Sequence, residues 1–176
     1  MIFEETALPG AFLIYPERVE DERGFFARSF DRVAFEEHGL VTDIVQCNIS
    51  FNRKVGTLRG MHYQVSPFQE DKVVRCTKGA MHDVIVDLRR DSPGHLRHVA
   101  VHLTEDNRTM LYVPKGFAHG FLTLVDDTEV SYQMSAPFSP DHARGVRWND
   151  PKLGVSWPAP VSVISERDQT FPDYKQ

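Results

Sequence analysis

The sequence YVPKGFAHGF, residues 112–121, joins two short apolar runs, TMLYVP and FLTLV, and shows a pattern that recurs along the chain. Pro114 and Gly116 favour a tight turn. His119 follows on the second run, between two phenylalanines. Two extended runs separated by a turn predict adjacent antiparallel strands.

Short extended runs of this kind occupy most of the sequence. They include GAFLIY, IVQCNISF, KVVRC, AMHDVIVDL, HVAVHLT and EVSYQM. Many such runs at close spacing predict an all-β fold, an antiparallel sandwich or barrel, rather than strands alternating with helices. Neither a repeat nor a linker interrupts them, so residues 1–176 are expected to form a single domain.

Helical signals are scarce. The best candidate covers residues 31–40, where Asp31 can cap the first turn and Gly39 can end the helix. From about Asn149 the chain is rich in proline and is expected to wrap around the surface.

The composition excludes several classes of protein. The chain is 41% hydrophobic and 26% charged, with a net charge of -5, which argues against broad electrostatic binding of nucleic acid. No apolar run approaches the roughly 20 residues that cross a bilayer, and no signal peptide is evident, so we expect a cytoplasmic protein with no membrane association. Cys47 and Cys76 have no disulfide-framework or zinc-finger spacing.

Period-two alternation brings several polar side chains onto faces that a barrel would enclose. They are Gln46 and Asn48 in one run, Lys72 in the next and Tyr132 in a later one. A buried polar group without a partner costs about 1–3 kcal/mol. Any one of these residues taken alone is expected to face solvent, but together they indicate a polar cavity inside a barrel.

The densest group of chemically active residues lies in TLRGMHYQ, residues 57–64, followed by Lys72. Strict alternation would place Arg59 and His62 on opposite faces. A glycine within a strand is a common site of a bulge, and a bulge at Gly60 would re-aim one of the two side chains. The alternative is an exposed arginine and a hydrogen-bonded core histidine.

The P-x-G-x-x-H pattern that ends at His119 resembles the second motif of the cupin barrels, in which this histidine is often a metal ligand. The first cupin motif usually supplies a pair of histidines, and here the matching stretch contains only His62. His62 and His119, with Glu70, could still hold a metal ion, but the usual set of three histidines and a carboxylate is absent from these motifs. We therefore expect no metal.

The ending SERD, residues 165–168, contains an aspartate that could serve an acid–base site. Placed beside His62, Asp168 would fix the imidazole tautomer and stabilise the imidazolium. An unperturbed histidine titrates at about pH 6.5, which suits proton abstraction at neutral pH. A surface aspartate in a proline-rich tail is the alternative, because sequence spacing cannot place it.

Taken together, these stretches resemble the dTDP-4-dehydrorhamnose 3,5-epimerase family, cupin-type enzymes that act on nucleotide-linked 4-keto-6-deoxy sugars. The similar segments occur in order over nearly the whole chain and include DERGFFARSF (21–30), QCNISFNRKVGTLRGMHYQ (46–64), GAMHDVIVDLR (79–89), VPKGFAHGF (113–121), EVSYQ (129–133) and ISERD (164–168). The resemblance implies a cupin-type antiparallel jelly-roll barrel with one or two short helices.

The resemblance also implies roles for individual residues. His62 corresponds to the catalytic base, Asp168 to its partner, Tyr132 to the acid on the opposite face of the sugar, and Lys72 to the group that stabilises an enolate. Substrate-binding residues implied in the same way are Arg23, Phe26, Arg28, Gln46, Asn48, Arg59, His119 and Arg167.

Neither a metal nor an organic cofactor is implied by the resemblance. The implied substrate is a nucleotide-diphosphate 4-keto-6-deoxy sugar. The implied partner is a second copy of the chain, in a homodimer where an N-terminal segment is exchanged, so Arg23 and Arg28 are expected in the other subunit's pocket.

Three positions depart from the family pattern. Many members have glutamate where this chain has Arg28 and Ala143, and a second tyrosine where it has Phe138. These differences keep open a single-centre epimerase acting on another nucleotide sugar, for example a CDP-linked one. A metal-dependent cupin and a sugar-binding cupin without turnover are two competing hypotheses.

Overall fold

The structure, a computed structural model, describes residues 1–175; Gln176, the last residue of the predicted domain, lies outside the described residues. The strands are β1 (Ile2–Glu5), β2 (Phe12–Tyr15), β3 (Arg18–Asp21), β4 (Gly24–Ala27), β5 (Gln46–Asn52), β6 (Thr57–Gln64), β7 (Lys72–Lys78), β8 (Ala80–Asp87), β9 (His98–Thr104), β10 (Met110–Val113), β11 (Phe117–Thr123), β12 (Thr128–Met134), β13 (Ala143–Gly145) and β14 (Val163–Ile164). The helices are α1 (Arg32–Glu37) and α2 (Glu166–Gln169).

Two large sheets make up the body of the molecule. One has the order β1-β2-β10-β7-β12-β5, and the other has the order β13-β6-β11-β8-β9 with β14 added beside β6. Apart from the parallel pair of β14 and β6, the neighbouring strands are antiparallel. Strands β3 and β4 form a separate hairpin. The antiparallel all-β architecture predicted from the short extended runs is confirmed.

The main core lies between the two sheets. It combines Val74 and Val130 of the first sheet with Ile85 and Phe121 of the second, all essentially inaccessible to solvent. Burial of one such side chain contributes about 1.5–3 kcal/mol. Strands β8 and β11 are buried on both faces, because their other side chains, such as Val84 and Val86, form a second cluster on the opposite face of the sheet.

The C-terminal segment wraps the outer face of the second sheet, as its proline content predicts. Val146, Leu153 and Tyr174 pack there against Met61 and other buried side chains. The segment then adds β14 to the edge of β6 and ends in the short helix α2. It therefore carries residues 165–168 from the back of the sheet to the end of the barrel.

Helix α1 begins where predicted but is shorter than predicted. The Asp31 side chain accepts a hydrogen bond from the Ala34 backbone N–H at 3.1 Å, as an N-cap should. The helix ends at Glu37 rather than Leu40, because Gly39 adopts a φ of +69° that reverses the chain. Neither helix in the described part of the chain has the length and apolar character of a membrane span.

A bulge interrupts the pairing of β6 with β11. Residues 59–62 of β6 lie opposite residues 119–121 of β11, so β6 contains one extra residue. Gly60 lies in the bulge with a φ of +125°, and a Cβ there would lie 2.6 Å from the Gly120 Cα. The two backbones therefore approach too closely for side chains at this point, and the bulge predicted at Gly60 is confirmed.

The close approach predicts a large effect of a small substitution at Gly120. A Cβ at this position would lie 2.6 Å from the Met61 Sδ and 2.9 Å from the Arg59 carbonyl oxygen. We expect Gly120→Ala to lower the free energy of unfolding by about 1–3 kcal/mol through overpacking. Urea denaturation measures the change.

The matched control is Ala100→Ser, which adds one heavy atom at an exposed position of β9. It should alter the free energy of unfolding by no more than about 0.5 kcal/mol. Equal effects of the two substitutions would show that the two strands are not tightly packed at the bulge.

Candidate active site

A cavity of about 300 Å³ opens between the two sheets. Because of the bulge, Arg59 and His62 both face it, although three positions separate them on one strand. Of the residues predicted to form a site, the cavity is lined by His62, Lys72, Tyr132, Asn48, Arg59, His119 and Arg167. The polar cavity predicted from alternation is therefore present.

His62 and Asp168 form a hydrogen-bonded pair at one wall of the cavity. The His62 Nε2 lies 2.7 Å from the Asp168 Oδ1, and the other carboxylate oxygen accepts the Gly60 backbone N–H at 3.1 Å. The Asp168 side chain is 7% exposed, whereas that of His62 is 43% exposed. The aspartate thus anchors the imidazole from behind and leaves its other face toward the cavity.

The position of Asp168 follows from the local structure of α2. Ser165 caps this helix by accepting the Asp168 backbone N–H at 3.1 Å. Burial by itself raises the pKa of Asp168, but hydrogen bonds from His62 and from the Gly60 N–H outweigh it and lower the pKa below its ordinary value. The carboxylate is therefore ionised at neutral pH and can stabilise a protonated imidazole.

Tyr132 lies on the opposite wall, on β12 of the other sheet. Its ring centroid is 6.2 Å from that of His119. Burial, with a smaller contribution from the Asp83 carboxylate, raises the pKa of the Tyr132 phenol. The phenol therefore remains protonated at neutral pH and can donate a proton from the side opposite His62.

Lys72 carries a buried ammonium group at the first residue of β7. Its Nζ lies 2.9 Å from the Glu70 Oε1, and both side chains are at least nine-tenths buried. A buried charge of this kind persists only when it is paired. Lys72 thus brings a fixed positive charge to the cavity.

The remaining predicted cations are also held by neighbours. The Arg59 Nε donates to the Asn52 Oδ1 at 2.7 Å, and the Arg167 guanidinium lies 5.7 Å from the centre of the Phe171 ring. Both line the cavity. Planar guanidinium groups suit the oxygens of a diphosphate, since they form two parallel hydrogen bonds.

Gln46 and Asn48 lie beside each other at the edge of the cavity. The Gln46 Nε2 donates to the Asn48 Oδ1 at 3.0 Å, while its Oε1 accepts the Phe138 backbone N–H at 3.1 Å. Asn48 lines the cavity directly, and Gln46 holds the loop that forms part of its rim.

The hairpin of β3 and β4 does not reach this cavity within one chain. Arg23 pairs with Asp21, and Arg28 donates to Asp31 at 2.7 Å. The Phe26 side chain is 74% exposed. The structure therefore does not bring Arg23, Phe26 and Arg28 together with the other predicted site residues of the same protomer.

Asp83 is a site residue that the sequence reasoning missed. Its Oδ1 lies 2.6 Å from the His119 Nε2, and both side chains are buried. The available signal was a charged residue in AMHDVIVDL on the same strand face as Met81 and Ile85, which are core residues. Two further residues were also missed. Asn52 holds Arg59, and Arg144 lines the cavity.

The residues considered as metal ligands do not form a ligand set. His62, His119 and Glu70 are each engaged by a different residue, namely Asp168, Asp83 and Lys72. Within residues 1–175, no group of three or more His, Cys, Asp or Glu side chains has the geometry to hold a metal ion. The donor set thus does not fit the metal-dependent alternative.

Comparisons with known proteins give a consistent result. The family model of dTDP-4-dehydrorhamnose 3,5-epimerase matches residues 5–176. The chain is 42% identical over 173 residues to a protein of that name from Sinorhizobium fredii, covering 98% of this chain and 89% of the relative.

Solved structures show the same similarity. A dTDP-4-dehydrorhamnose 3,5-epimerase from Bacillus anthracis, with TDP and PPi bound, has a TM-score of 0.95 at 40% identity and covers 98% of this chain and 99% of its own. ChmJ, a 3'-monoepimerase from Streptomyces bikiniensis in complex with dTDP-quinovose, has a TM-score of 0.88 at 31% identity and covers 96% of this chain and 85% of its own.

The lowered pKa of Asp168 predicts how its contribution to stability depends on pH. The folded chain holds this carboxylate ionised at a lower pH than the unfolded chain does, so its contribution is complete above about pH 5 and is lost as the pH falls through and below about 4. Asp168→Asn should lower the free energy of unfolding by about 1.5–3 kcal/mol at pH 7.

The difference between the wild type and Asp168→Asn should shrink steadily between pH 5 and pH 3. Denaturant titration at each pH measures it, with the exposed Asp173→Asn as the matched carboxylate control. A difference that is constant across this range would contradict the assignment of a depressed pKa to Asp168.

Proposed function

The chain belongs to the dTDP-4-dehydrorhamnose 3,5-epimerase family, and from that membership we propose how its cavity inverts a sugar centre. The protein is a nucleotide-sugar epimerase that acts on carbon 3, carbon 5 or both in a nucleotide-linked 4-keto-6-deoxy sugar. The observation that supports the mechanism most directly is the placement of His62 with Asp168 on one wall and Tyr132 on the other.

Proton removal is assigned to His62. The carbonyl at carbon 4 acidifies the hydrogens on carbons 3 and 5, because the electrons of the broken C–H bond delocalise onto its oxygen. The imidazole takes the proton, and the ionised Asp168 at 2.7 Å stabilises the resulting imidazolium. Asp168 therefore acts through its contact with the base and not on the sugar itself.

Reprotonation from the other face is assigned to Tyr132. Its phenol is kept protonated by burial, and it lies on the sheet opposite His62. A sugar held between the two walls loses its proton on one side and regains one on the other, which inverts the carbon. No electrons are transferred to or from a carrier in this scheme, and the Lys72 ammonium supplies the positive charge at the carbon 4 oxygen. We therefore propose that the reaction needs neither a metal nor an organic cofactor.

Stabilisation of the enolate is assigned to Lys72. Negative charge accumulates on the oxygen at carbon 4 during proton removal, and a preorganised ammonium in a site with little water is an effective partner for it. Loss of one such donor typically costs about 10²–10³-fold in rate.

Substrate binding is assigned to the polar and cationic residues around these groups. Arg59 and Arg167 suit the diphosphate, while Asn48 and His119 line the cavity within reach of the sugar or the base. Gln46 supports this set by holding the rim loop.

We relate the number of inverted centres to Phe138, which stands where many family members have a tyrosine. This ring lines the cavity and is 52% exposed, and it contributes no hydroxyl group. Ala143 lines the same cavity and contributes no carboxylate. The missing hydroxyl supports the single-centre alternative, in which one carbon is inverted and the other is only exchanged or left untouched. The missing carboxylate supports a different base or sugar in the substrate.

A homodimer is proposed from the exposed hairpin. Val19 and Phe26 lie opposite each other on β3 and β4 and are 70% and 74% exposed, and an exposed apolar pair of this kind usually marks an interface. In the proposed dimer the hairpin reaches the partner's cavity, so that Arg23, Phe26 and Arg28 complete the partner's substrate site.

Proton exchange tests the assigned mechanism. With dTDP-4-keto-6-deoxyglucose in deuterated buffer, NMR should show deuterium at carbon 3, carbon 5 or both. His62→Ala should lower the rate of exchange by about 10²–10⁴-fold, because the positioned base is lost. Tyr132→Phe should reduce inversion more than exchange, because proton removal does not require the phenol.

Tyr15→Phe is the matched control, since this tyrosine lies on β2 and does not line the cavity. It should leave both rates unchanged. Wild-type exchange that persists in His62→Ala would exclude His62 as the base, and full inversion by Tyr132→Phe would exclude Tyr132 as the acid. CDP-, GDP- and UDP-linked 4-keto sugars, assayed in the same way, identify the nucleotide.

Subunit complementation tests the dimer. The Arg23→Ala/Phe26→Ala and His62→Ala chains should each have low activity alone. After they are mixed and exchanged, half of the molecules are mixed dimers with one intact site, so activity should recover to about a quarter of the wild-type value. Sedimentation analysis reports the assembly state, and activity that equals only the average of the two parents would rule out the shared site.

A further inference from the structure

A buried polar network forms part of the cavity wall and joins the two sheets. It consists of Gln64 at the end of β6, Glu70 just before β7 and Lys72 at its start. Their exposed fractions are 5%, 7% and 8%. Three polar residues buried this deeply require one another as partners, because an unpaired one would be costly.

The Gln64 carboxamide is the centre of this network. Its Nε2 donates to the Glu70 Oε2 and to the Phe68 carbonyl, the latter at 2.9 Å. Its Oε1 accepts the Ser139 backbone N–H at 2.7 Å. The same side chain thus holds Glu70 and the residue that follows Phe138 in the cavity wall.

Glu70 has one oxygen for each neighbour. Its Oε2 receives the Gln64 amide, and its Oε1 lies 2.9 Å from the Lys72 Nζ. The backbone between the two charged residues is fixed by Asp71, whose Oδ1 accepts the Tyr112 hydroxyl at 2.8 Å and whose N–H donates to Ser135 at 2.8 Å. The carboxylate therefore has little freedom to move away from the ammonium.

Most charged side chains that line the cavity are positive, so the negative charge of Glu70 has a large effect on Lys72. Among the cavity-lining residues within the described 1–175, Glu70 is the sole carboxylate. The other charged or titratable side chains that line the cavity are Arg59, His62, Tyr63, His119, Tyr132, Arg144 and Arg167. Without Glu70, burial and the neighbouring cations would both favour the neutral amine of Lys72.

We propose that Glu70, oriented by Gln64, is the positioning residue that keeps Lys72 charged and aimed into the cavity. An ammonium has three N–H donors, and one directed at Glu70 leaves two for the developing enolate oxygen. This inference rests on the proposed function, in which Lys72 stabilises the enolate. It assigns Glu70 a positioning role in the catalytic site, exerted through Lys72.

The decisive variant is Glu70→Gln, which keeps the size of the side chain and removes its charge. Deuterium exchange into the 4-keto sugar nucleotide is measured from pH 6 to pH 9, and the wild-type rate is divided by the variant rate at each pH. For Glu70→Gln, the wild-type rate should exceed the variant rate about tenfold at pH 6. At pH 9 the ratio should approach the value for Lys72→Met, about 10²–10³-fold, because the unpaired amine has then lost its charge. KM should change by less than about threefold, because the arginines hold the diphosphate.

Two further variants separate positioning from stability. Glu70→Asp retains the charge, so its ratio to the wild type should be the same at every pH even where the rate is lower. Asp87→Asn removes another buried carboxylate, paired with Arg89 at 2.7 Å outside the cavity, and should lower stability with no pH-dependent change in exchange. A ratio of wild-type to Glu70→Gln rate that is close to one, or that is independent of pH, overturns the proposal. If Glu70→Gln does not fold, a pH-dependent ratio for Glu70→Asp overturns it.

A measurement without substrate distinguishes this inference from the proposed function. In protein labelled with ¹⁵N-lysine, the ion pair should give a slowly exchanging ammonium signal at pH 7 that disappears in Lys72→Met. Absence of that signal in the wild type overturns the positioning role. Presence of the signal in a wild type that exchanges no deuterium would refute the proposed function and leave the Glu70–Lys72 interaction standing.

Discussion

The site depends on one hydrogen bond, between the Asp168 carboxylate and the His62 imidazole. The aspartate comes from a segment that first covers the back of the second sheet and then returns to its edge as β14. The Ser165 cap and the Gly60 N–H hold the carboxylate in place, so packing on one face of the sheet determines the orientation of the His62 imidazole on the other. The geometry of the cavity therefore depends on how the C-terminal segment packs on the surface.

The same arrangement occurs three times around the cavity. Asp168 lies behind His62, Asp83 lies behind His119, and Glu70 lies beside Lys72, each within 2.9 Å of its partner. Each carboxylate offsets the cost of enclosing a positive or potentially positive group between two sheets. In the proposed mechanism the cavity binds a diphosphate and stabilises an enolate, which requires such cations, and the carboxylates allow them to be buried.

Much of the fold follows from local sequence. The short extended runs predict antiparallel strands, Asp31 predicts the start of α1, and Gly60 predicts the bulge that brings Arg59 and His62 to one cavity. The predicted helix is too long because it includes Gly39, whose positive φ already begins the reversal of the chain. The β3–β4 hairpin lies apart from the cavity of its own chain, and no local pattern could have indicated this.

The sequence alone determined the strand pattern, the turn and bulge glycines, and the set of polar residues that alternation brings to an inner face. These depend on neighbours two to four positions away, where backbone geometry limits the possibilities. Which groups meet depends on long-range packing: Asp168 meets His62 across 106 positions, and Asp83 meets His119 across 36. Such contacts depend on strand register and on how two sheets pack, and a charged residue in a strand contains no local information about its distant partner.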